Sequence, residues 1–501
     1  MSRTKNAIKI ILSSTIQQLA IVIAGLILPP IIISSYGSEV NGLVNSVKQI
    51  LSYFSVFSVG LGAAGQVALY NPLHKQEWGK INAIMSEVTL FLNRVGMVFA
   101  IFVGILAFVL PVIRDDTLDC GTVAGIVLIC GMGSLIEFVF LTRYKILLAA
   151  DQKQFVVSNV YTQGTVLNTV LSVILINCKA PILIVQFVAS FAYLIRMLLL
   201  MRKIKKLYPR LDTKQKVTEK TIPNTKEALL YKLSEIIINC IPITLVTFVC
   251  GYIDVSIYSV YNLVFASIVM VVNIFSTGLA ASFGNQIAQD DYETLRSSFK
   301  GYNFVFRTLA FFFYVCSAIL IIPFISVYIT NSDGVNYLLP KVGVLFALHG
   351  ICRTIRTPFI TLIDAIGNYA ENNKANYIEV IINIGLSLVL TIKIGMIGVL
   401  IGGLLPAICR SVLFLIKISK TVLDANAIRE LMIIGANFTV GMLLYIVLSG
   451  TLVDGYLDWF VLAIKVAMIC GMICMTLNII IDYKGFCEFF KRLKGRKVKN
   501  K

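Results

Sequence analysis

This chain has no nucleotide-binding loop. Its only Gly-Lys step, Gly79-Lys80, runs on into Ile81 and lacks the Walker A pattern. No His/Glu metal motif and no Gly-x-Ser-x-Gly elbow occurs either, so neither ATP-driven nor hydrolytic chemistry has its usual residues. Charge is scarce: 14% of residues are Asp, Glu, Lys or Arg, against 57% hydrophobic, and histidine occurs twice. A soluble domain this apolar would aggregate, so composition points to the membrane. The eleven cysteines form no C-x-x-C pair and lie mostly in apolar stretches. They read as small buried residues, not as metal ligands or disulfides.

What the chain does have is long apolar runs. A spanning helix needs about 20 mostly apolar residues, and about fourteen runs meet that need. The first six are Ile8–Ser34, Asn45–Val67, Arg94–Ile113, Val123–Leu141, Phe155–Ile176 and Ile182–Met201. The others are Leu229–Gly251, Ser256–Ser282, Phe304–Ile329, Leu338–Ile360, Tyr377–Ile392, Gly395–Ile416, Met432–Ser449 and Trp459–Ile481. Barrel strands would alternate and be about half as long. The expected class is therefore an all-α integral membrane protein. The first run is too long and too polar for a cleavable signal, with Ser13, Ser14, Gln17 and Gln18 inside it, and no small-residue cleavage site follows.

The formal net charge of +18 could suggest nucleic acid, but its distribution suggests topology. With the amino terminus placed in the cytoplasm and the sides alternated, the inner segments collect Lys75, Lys80, Arg143, Lys145, Lys153, Arg296, Lys300, Arg307, Lys417 and Arg429. The run from Arg202 and the tail from Lys491 add most of the rest. The outer loops hold Arg114, Lys179, Lys341 and Lys393 beside a larger number of acids. This positive-inside pattern puts both termini in the cytoplasm, with attraction to anionic lipid as a further effect. No nucleic-acid motif or aromatic stacking pattern accompanies the charge.

The two halves repeat. "NTVLS" from Asn168 and "NIGLS" from Asn383 lie 215 positions apart, and Asn45 aligns with Asn262 at 217. Two matches at nearly one offset indicate tandem duplication. Each copy holds six runs, an even number, so both have the same orientation, related by an axis along the membrane normal. The expected organisation is a six-helix lobe over 1–202 and a basic linker over 203–226. A second six-helix lobe over 227–420, two extra spans over 421–483 and a basic tail over 484–501 follow. Two parallel lobes framing a cavity form the plan of a secondary transporter.

Several segments resemble bacterial oligosaccharide flippases, the polysaccharide transporter branch of the MOP superfamily. They are "YGSEVNGLVNSV…GLGAAGQVALYNPLHKQEWGKIN" (Tyr36–Asn82), "YKILLAADQKQFVVSN" (Tyr144–Asn159), "IYSVYNLVFASI…GLAASFGNQIA" (Ile257–Ala288) and "DAIGNYAENNKANYIEVIINIGLSLVLTIKIGMIGVLIGGLL" (Asp364–Leu405). Together they cover most of the chain to about residue 416. The basic residue frequent in that family before the Tyr-x-Gly turn is replaced here by Ser34-Ser35, so its contact is not carried over. The resemblance implies export of a polyprenyl-pyrophosphate-linked oligosaccharide across a bacterial cytoplasmic membrane, by a protein that breaks no covalent bond. It implies a polysaccharide polymerase and glycosyltransferases as partners, a monomer, and no cofactor beyond a coupling Na⁺ or H⁺. Glycan hydroxyls and an anionic pyrophosphate call for a polar, cationic cavity.

Candidate lining residues follow from charge inside the runs. His349, Arg353 and Arg356 share a helical face, about 9 to 16 residues from the outer end. Arginine suits pyrophosphate or an acidic sugar; the structural alternative is pairing with Glu379, Asp364 or Glu137. Asn45, Lys48 and Gln49 form a polar stripe in the second run, where Lys48 either faces the cavity or snorkels. Asn262 and Asn273 in the eighth run serve either glycan contact or interhelical bonding. Asn168 and Asn383, used symmetrically, favour packing, because a glycan is not symmetric. Glu137, Glu235 and Glu379 are the ion-coupling candidates. A drug/cation antiporter of the same superfamily would want a more acidic cavity, and a non-transporting scaffold for glycan assembly would leave the embedded cations dispensable.

Overall fold

The computed structural model describes residues 3–113, 118–213, 226–274, 291–331, 334–366, 369–421 and 427–498, with 283, 286, 287 and 289 besides. The regular elements among them are helices. In order they are α1 (Arg3–Ser52), α2 (Ser55–Lys75), α3 (Trp78–Ile113), α4 (Cys120–Ile136), α5 (Thr142–Ala150), α6 (Gln154–Asn177), α7 (Ile182–Leu207) and α8 (Lys226–Val249). Then come α9 (Tyr252–Ile274), α10 (Tyr292–Tyr328), α11 (Pro340–Ile355), α12 (Thr357–Ile366), α13 (Tyr369–Ile394), α14 (Met396–Thr421), α15 (Ala427–Leu448), α16 (Tyr456–Ile481) and α17 (Tyr483–Val498).

The described residues of each of the fourteen apolar runs lie mainly on helix, and among the described residues eleven stretches are long and apolar enough to cross a membrane. The remaining three runs are interrupted or shortened. The second is cut at Tyr53–Phe54, whose amides bond back only three residues, to Ile50 and Leu51. The seventh contributes the shorter apolar stretch Leu233–Val249. The tenth breaks at Arg356, between α11 and α12. Pro358 explains that break, because it lacks an amide to continue the ladder and disfavours helix at the residue before it. The Tyr-x-Gly turn lies inside α1, where Gly37 takes φ 87° and ψ 164°. A residue with a Cβ rarely adopts that conformation. The kink places Asn45, Lys48 and Gln49 on the second part of α1 instead of at the head of a new helix.

By contacts the chain forms two compact units, Met1–Ser256 and Ile257–Lys501. The repeat places the boundary earlier, in the linker, half of which lies outside the described residues. The boundary observed follows from α8, which packs on α1 and α2. Thr247 donates to Ser46 at 2.8 Å, Tyr53 meets Thr244 at 3.1 Å, and Asn41 donates to Ser256 at 2.7 Å.

The membrane leaves its mark on single helices of unit 1. Along α3, Ile81, Met85, Val88, Leu92, Phe99, Val103 and Leu110 are buried at helical spacing. Its other face is equally apolar and outward: Phe108 is 81% exposed and Val112 82%. A helix apolar on both faces, with one turned outward, suits a hydrocarbon solvent.

Unit 2 is built around α10, which packs against α11, α15, α16 and α17. The two extra spans are attached to it by a buried polar network. Arg307 of α10, 2% exposed, donates to Asn478 at 3.2 Å, to Glu430 at 2.9 Å and to Asp482 at 2.6 Å. Asn303 adds a bond to Glu430, and Asn437 and Asn478 bond each other. Arg307, counted above among the cations of the inner segments, is the centre of the α10–α15–α16 junction, because its carboxylate partners come from segments distant in sequence. The basic tail is helical in α17 and rests on α10, with Ser297 donating to Glu488 at 2.6 Å and Phe304 ringed against Phe486.

Six cysteines are buried, while Cys120, Cys178 and Cys409 are exposed. Cysteine as a small buried residue therefore describes only part of the set.

Candidate functional site

Each unit carries a polar cluster inside its helical bundle, and the two clusters use corresponding helices of the repeat. In unit 1 a cavity of about 720 Å³ is lined by Lys48, Gln66, Glu137, Lys145, Gln154 and Tyr193, among others. Glu137 opens a single π-helical turn, Glu137–Leu141, between α4 and α5. Such a turn inserts one residue into an α-helix and is frequent at functional sites. On a regular helix, residues eight apart diverge by about 80°. The inserted residue makes Glu137 and Lys145 behave as a pair seven apart, about 20° from one face. Lys145 accordingly donates to Glu137 Oε1. Lys145, counted among the cations of the inner segments, is therefore also the partner of Glu137.

The Glu137 carboxylate also receives the Tyr161 hydroxyl, at 2.6 and 2.7 Å to its two oxygens. Lys145 lies over the Tyr161 ring at 4.4 Å, and the Arg196 guanidinium over Tyr161 and Tyr193 at 5.1 and 5.0 Å. Arg196 donates to Thr165 at 3.0 Å. Gly164 makes room for it, since a Cβ there would stand 2.2 Å from Arg196 Nε. The sequence of groups is thus acid on α4, phenol on α6, arginine on α7.

In unit 2 the order is arginine, acid, arginine. Arg356, at the α11–α12 break, donates to both oxygens of Glu379 on α13, at 2.9 and 3.1 Å. Arg410 on α14 donates to the same carboxylate and, at 2.6 Å, to Asn376. All four residues are buried. One carboxylate therefore faces two guanidiniums. Arg353 and His349 stand on the same helix as Arg356, half-buried. His349 and Asn383 bound the space beside Gly403.

The candidate residues are thus distributed as follows. Lys48 and Glu137 line the unit 1 cavity. Asn45, half-buried, donates to the Asn41 carbonyl and side chain at 2.9 and 3.3 Å. Gln49 reaches Cys240 on α8. Glu379 lies with Arg356, as the pairing alternative required, and with Arg410. Glu235 and Asn262 are half-buried, in α8 and α9. The side chain of Asn273 falls outside the described residues, as does that of Asp364. Asn168 and Asn383 each accept from the serine four residues on, Ser172 at 3.4 Å and Ser387 at 3.1 Å. The repeated motif is a repeated hydrogen bond.

Tyr161, Arg196, Asn376 and Arg410 were not among the candidates. A signal for two of them existed: Arg196 and Arg410 lie 214 positions apart, close to the offset of the repeat.

Fold and site together define a multi-pass, all-helical membrane protein whose two units carry polar clusters inside apolar bundles. The sequence matches no protein-family model and no curated protein. Solved structures do match. The lipid II flippase MurJ in an inward closed conformation aligns with a TM-score of 0.62 at 14% identity, covering 94% of this chain and 99% of that one. An inward-facing multidrug resistance MATE family transporter of the MOP superfamily aligns at 0.58 and 13% identity, covering 85% and 96%. A MOP superfamily transporter from Pyrococcus furiosus, described as having a binding pocket of reverse polarity, aligns at 0.56 and 14% identity, covering 83% and 96%. The chain has the fold these transporters share.

Proposed function

We propose that this protein is a secondary transporter that flips polyprenyl-pyrophosphate-linked oligosaccharide repeat units from the inner to the outer leaflet by alternating access. The observation that carries the reading is the convergence of two buried guanidiniums, Arg356 and Arg410, on one site inside unit 2. Embedded cations are costly and normally face a partner or a pathway. Both arginines bond Glu379, and Arg353 stands one turn before Arg356, half-buried. An anionic group such as pyrophosphate suits a cluster of guanidiniums, because arginine binds it through paired donors. The polar lining of the unit 1 cavity supports a second demand of the substrate, partners for glycan hydroxyls. That a lipid II flippase shares the fold supports a lipid-linked cargo.

In this reading the termini are cytoplasmic and the membrane is a bacterial cytoplasmic one. Glu137 is the ion-coupling group for Na⁺ or H⁺, since it lines a cavity while Glu379 is enclosed by arginines. A drug/cation exporter has one feature in its favour, the same Glu137, but Lys48 and Lys145 line that cavity too.

The test is the double variant Arg353→Gln/Arg356→Gln. It should insert and fold, while lipid-linked glycan accumulates on the inner leaflet. Lysine at both positions should rescue in part, because charge returns without the planar fork. Wild-type export by the glutamine variant would overturn the anion site, and export of cationic drugs in place of glycan would favour the exporter.

A further inference from the structure

We propose that a pocket at one end of unit 1 binds the phosphate headgroup of an anionic phospholipid. This goes beyond the transport reading and does not rest on it. The pocket, about 430 Å³, lies between the α2–α3 turn, the α5–α6 turn and the segment after α7, with Gln76, Trp78, Asp151, Lys153, Tyr208 and Arg210 in its wall.

Its position comes first. α3 begins at Trp78, α5 ends at Ala150 and α7 ends at Leu207. Three membrane-crossing segments thus stop at the pocket rim, which puts it at headgroup level. Trp78 and Tyr208, with ring centroids 6.5 Å apart, are the aromatic types enriched at that depth.

Charge comes second. The one acid in the wall, Asp151, is engaged inside the wall itself. Tyr208 donates to it at 2.5 Å and Lys153 pairs with it at 2.7 Å. Burial, and then the bond to Asp151, push the Tyr208 phenol above its ordinary range, so it stays a neutral donor. Of the nearby acids, Glu77 pairs with Lys80. Arg210 is exposed in the wall, and Lys75, Arg202, Lys205 and Lys206 are exposed around it. Basic residues therefore exceed acids at this rim, and a surface anion is drawn to it.

Preorganisation comes third. The strand of chain that closes the pocket is fixed from both sides by one side chain. Asn82 donates to the Arg210 carbonyl at 3.2 Å and accepts from the Asp212 amide at 3.0 Å. An adjoining cavity of about 470 Å³ shares Tyr208 and Pro209 with the first and offers Lys205 beside Met201, Ile204 and Leu211. A headgroup in the first cavity can therefore lay its glycerol and upper acyl carbons on apolar wall. Free phosphate would have no use for that wall or for the rim aromatics.

The experiment uses the full-length protein in detergent, titrated with phosphatidylglycerol, phosphatidylcholine or inorganic phosphate, and reads melting and lipid retention by native mass spectrometry. Phosphatidylglycerol should stabilise and be retained, and the other two should do neither. The variant Lys205→Gln/Arg210→Gln keeps the Asp151 cluster and should melt like wild type without lipid. It should lose roughly 30-fold in phosphatidylglycerol affinity, from the usual contribution of two basic residues at an anionic surface. Lys341→Gln/Lys393→Gln, exposed cations of unit 2, should lose little. Equal loss in both variants would reduce the effect to non-specific attraction and overturn the site. Stabilisation by inorganic phosphate matching that of the lipid would overturn the lipid assignment, and so would unchanged affinity in Lys205→Gln/Arg210→Gln.

Discussion

Glu379→Gln separates the structural from the binding role of the unit 2 cluster. Glu379 is 3% exposed and accepts from Arg356 and Arg410, themselves 6% and 5% exposed. In Glu379→Gln the two guanidiniums remain buried without the carboxylate they share. Removing one partner of a buried pair typically costs about 3–5 kcal/mol. The two pairs share one carboxylate and are not additive, so the same range is expected for the cluster. For a unit of this size that is a melting loss on the order of 10 °C. In Arg356→Gln the Glu379 carboxylate keeps Arg410 as its buried partner. The loss there is that of charged hydrogen bonds alone, about 1.5–3 kcal/mol. Glu379→Gln should therefore be the less stable protein, and Arg356→Gln the one that loses more export per folded molecule. Melting by size-exclusion after heating, and export normalised to the folded fraction, measure both. A Glu379→Gln protein as stable as wild type would refute the reasoning, since it would mean that Arg356 and Arg410 need no buried counter-charge.

Arg307→Gln should destabilise by about 3–5 kcal/mol, read as lower melting, and adding Asp482→Asn should recover part of that. Gly164→Ala should destabilise by about 1–3 kcal/mol through overlap with Arg196, while Gly79→Ala, with nothing within 4 Å of its new methyl, should leave melting unchanged. Reporter fusions after Lys220 and at the carboxyl terminus should both read as cytoplasmic; an external signal from either would break the proposed topology.

The class of fold was legible in the sequence because a membrane helix is a local object. Its backbone bonds close within the segment, and its apolar length must match the bilayer, so each run declares itself without reference to its neighbours. The repeat was legible for a similar reason: Asn168–Ser172 and Asn383–Ser387 each make their bond within one turn of one helix. The partners of the charges were not legible. Lys145 reaches Glu137 only because a π turn changes the angular register between them. Arg307 is buried only because α15 and α16 bring Glu430 and Asp482 to it from more than 120 residues away. Arg410 joins Arg356 only because α13 presents one carboxylate to two neighbouring helices. By itself the sequence determined how many charges lie inside the apolar segments. Tertiary structure alone decided which of them are spent on one another, because pairing depends on helix rotation and neighbour identity, and neither is encoded in any single run.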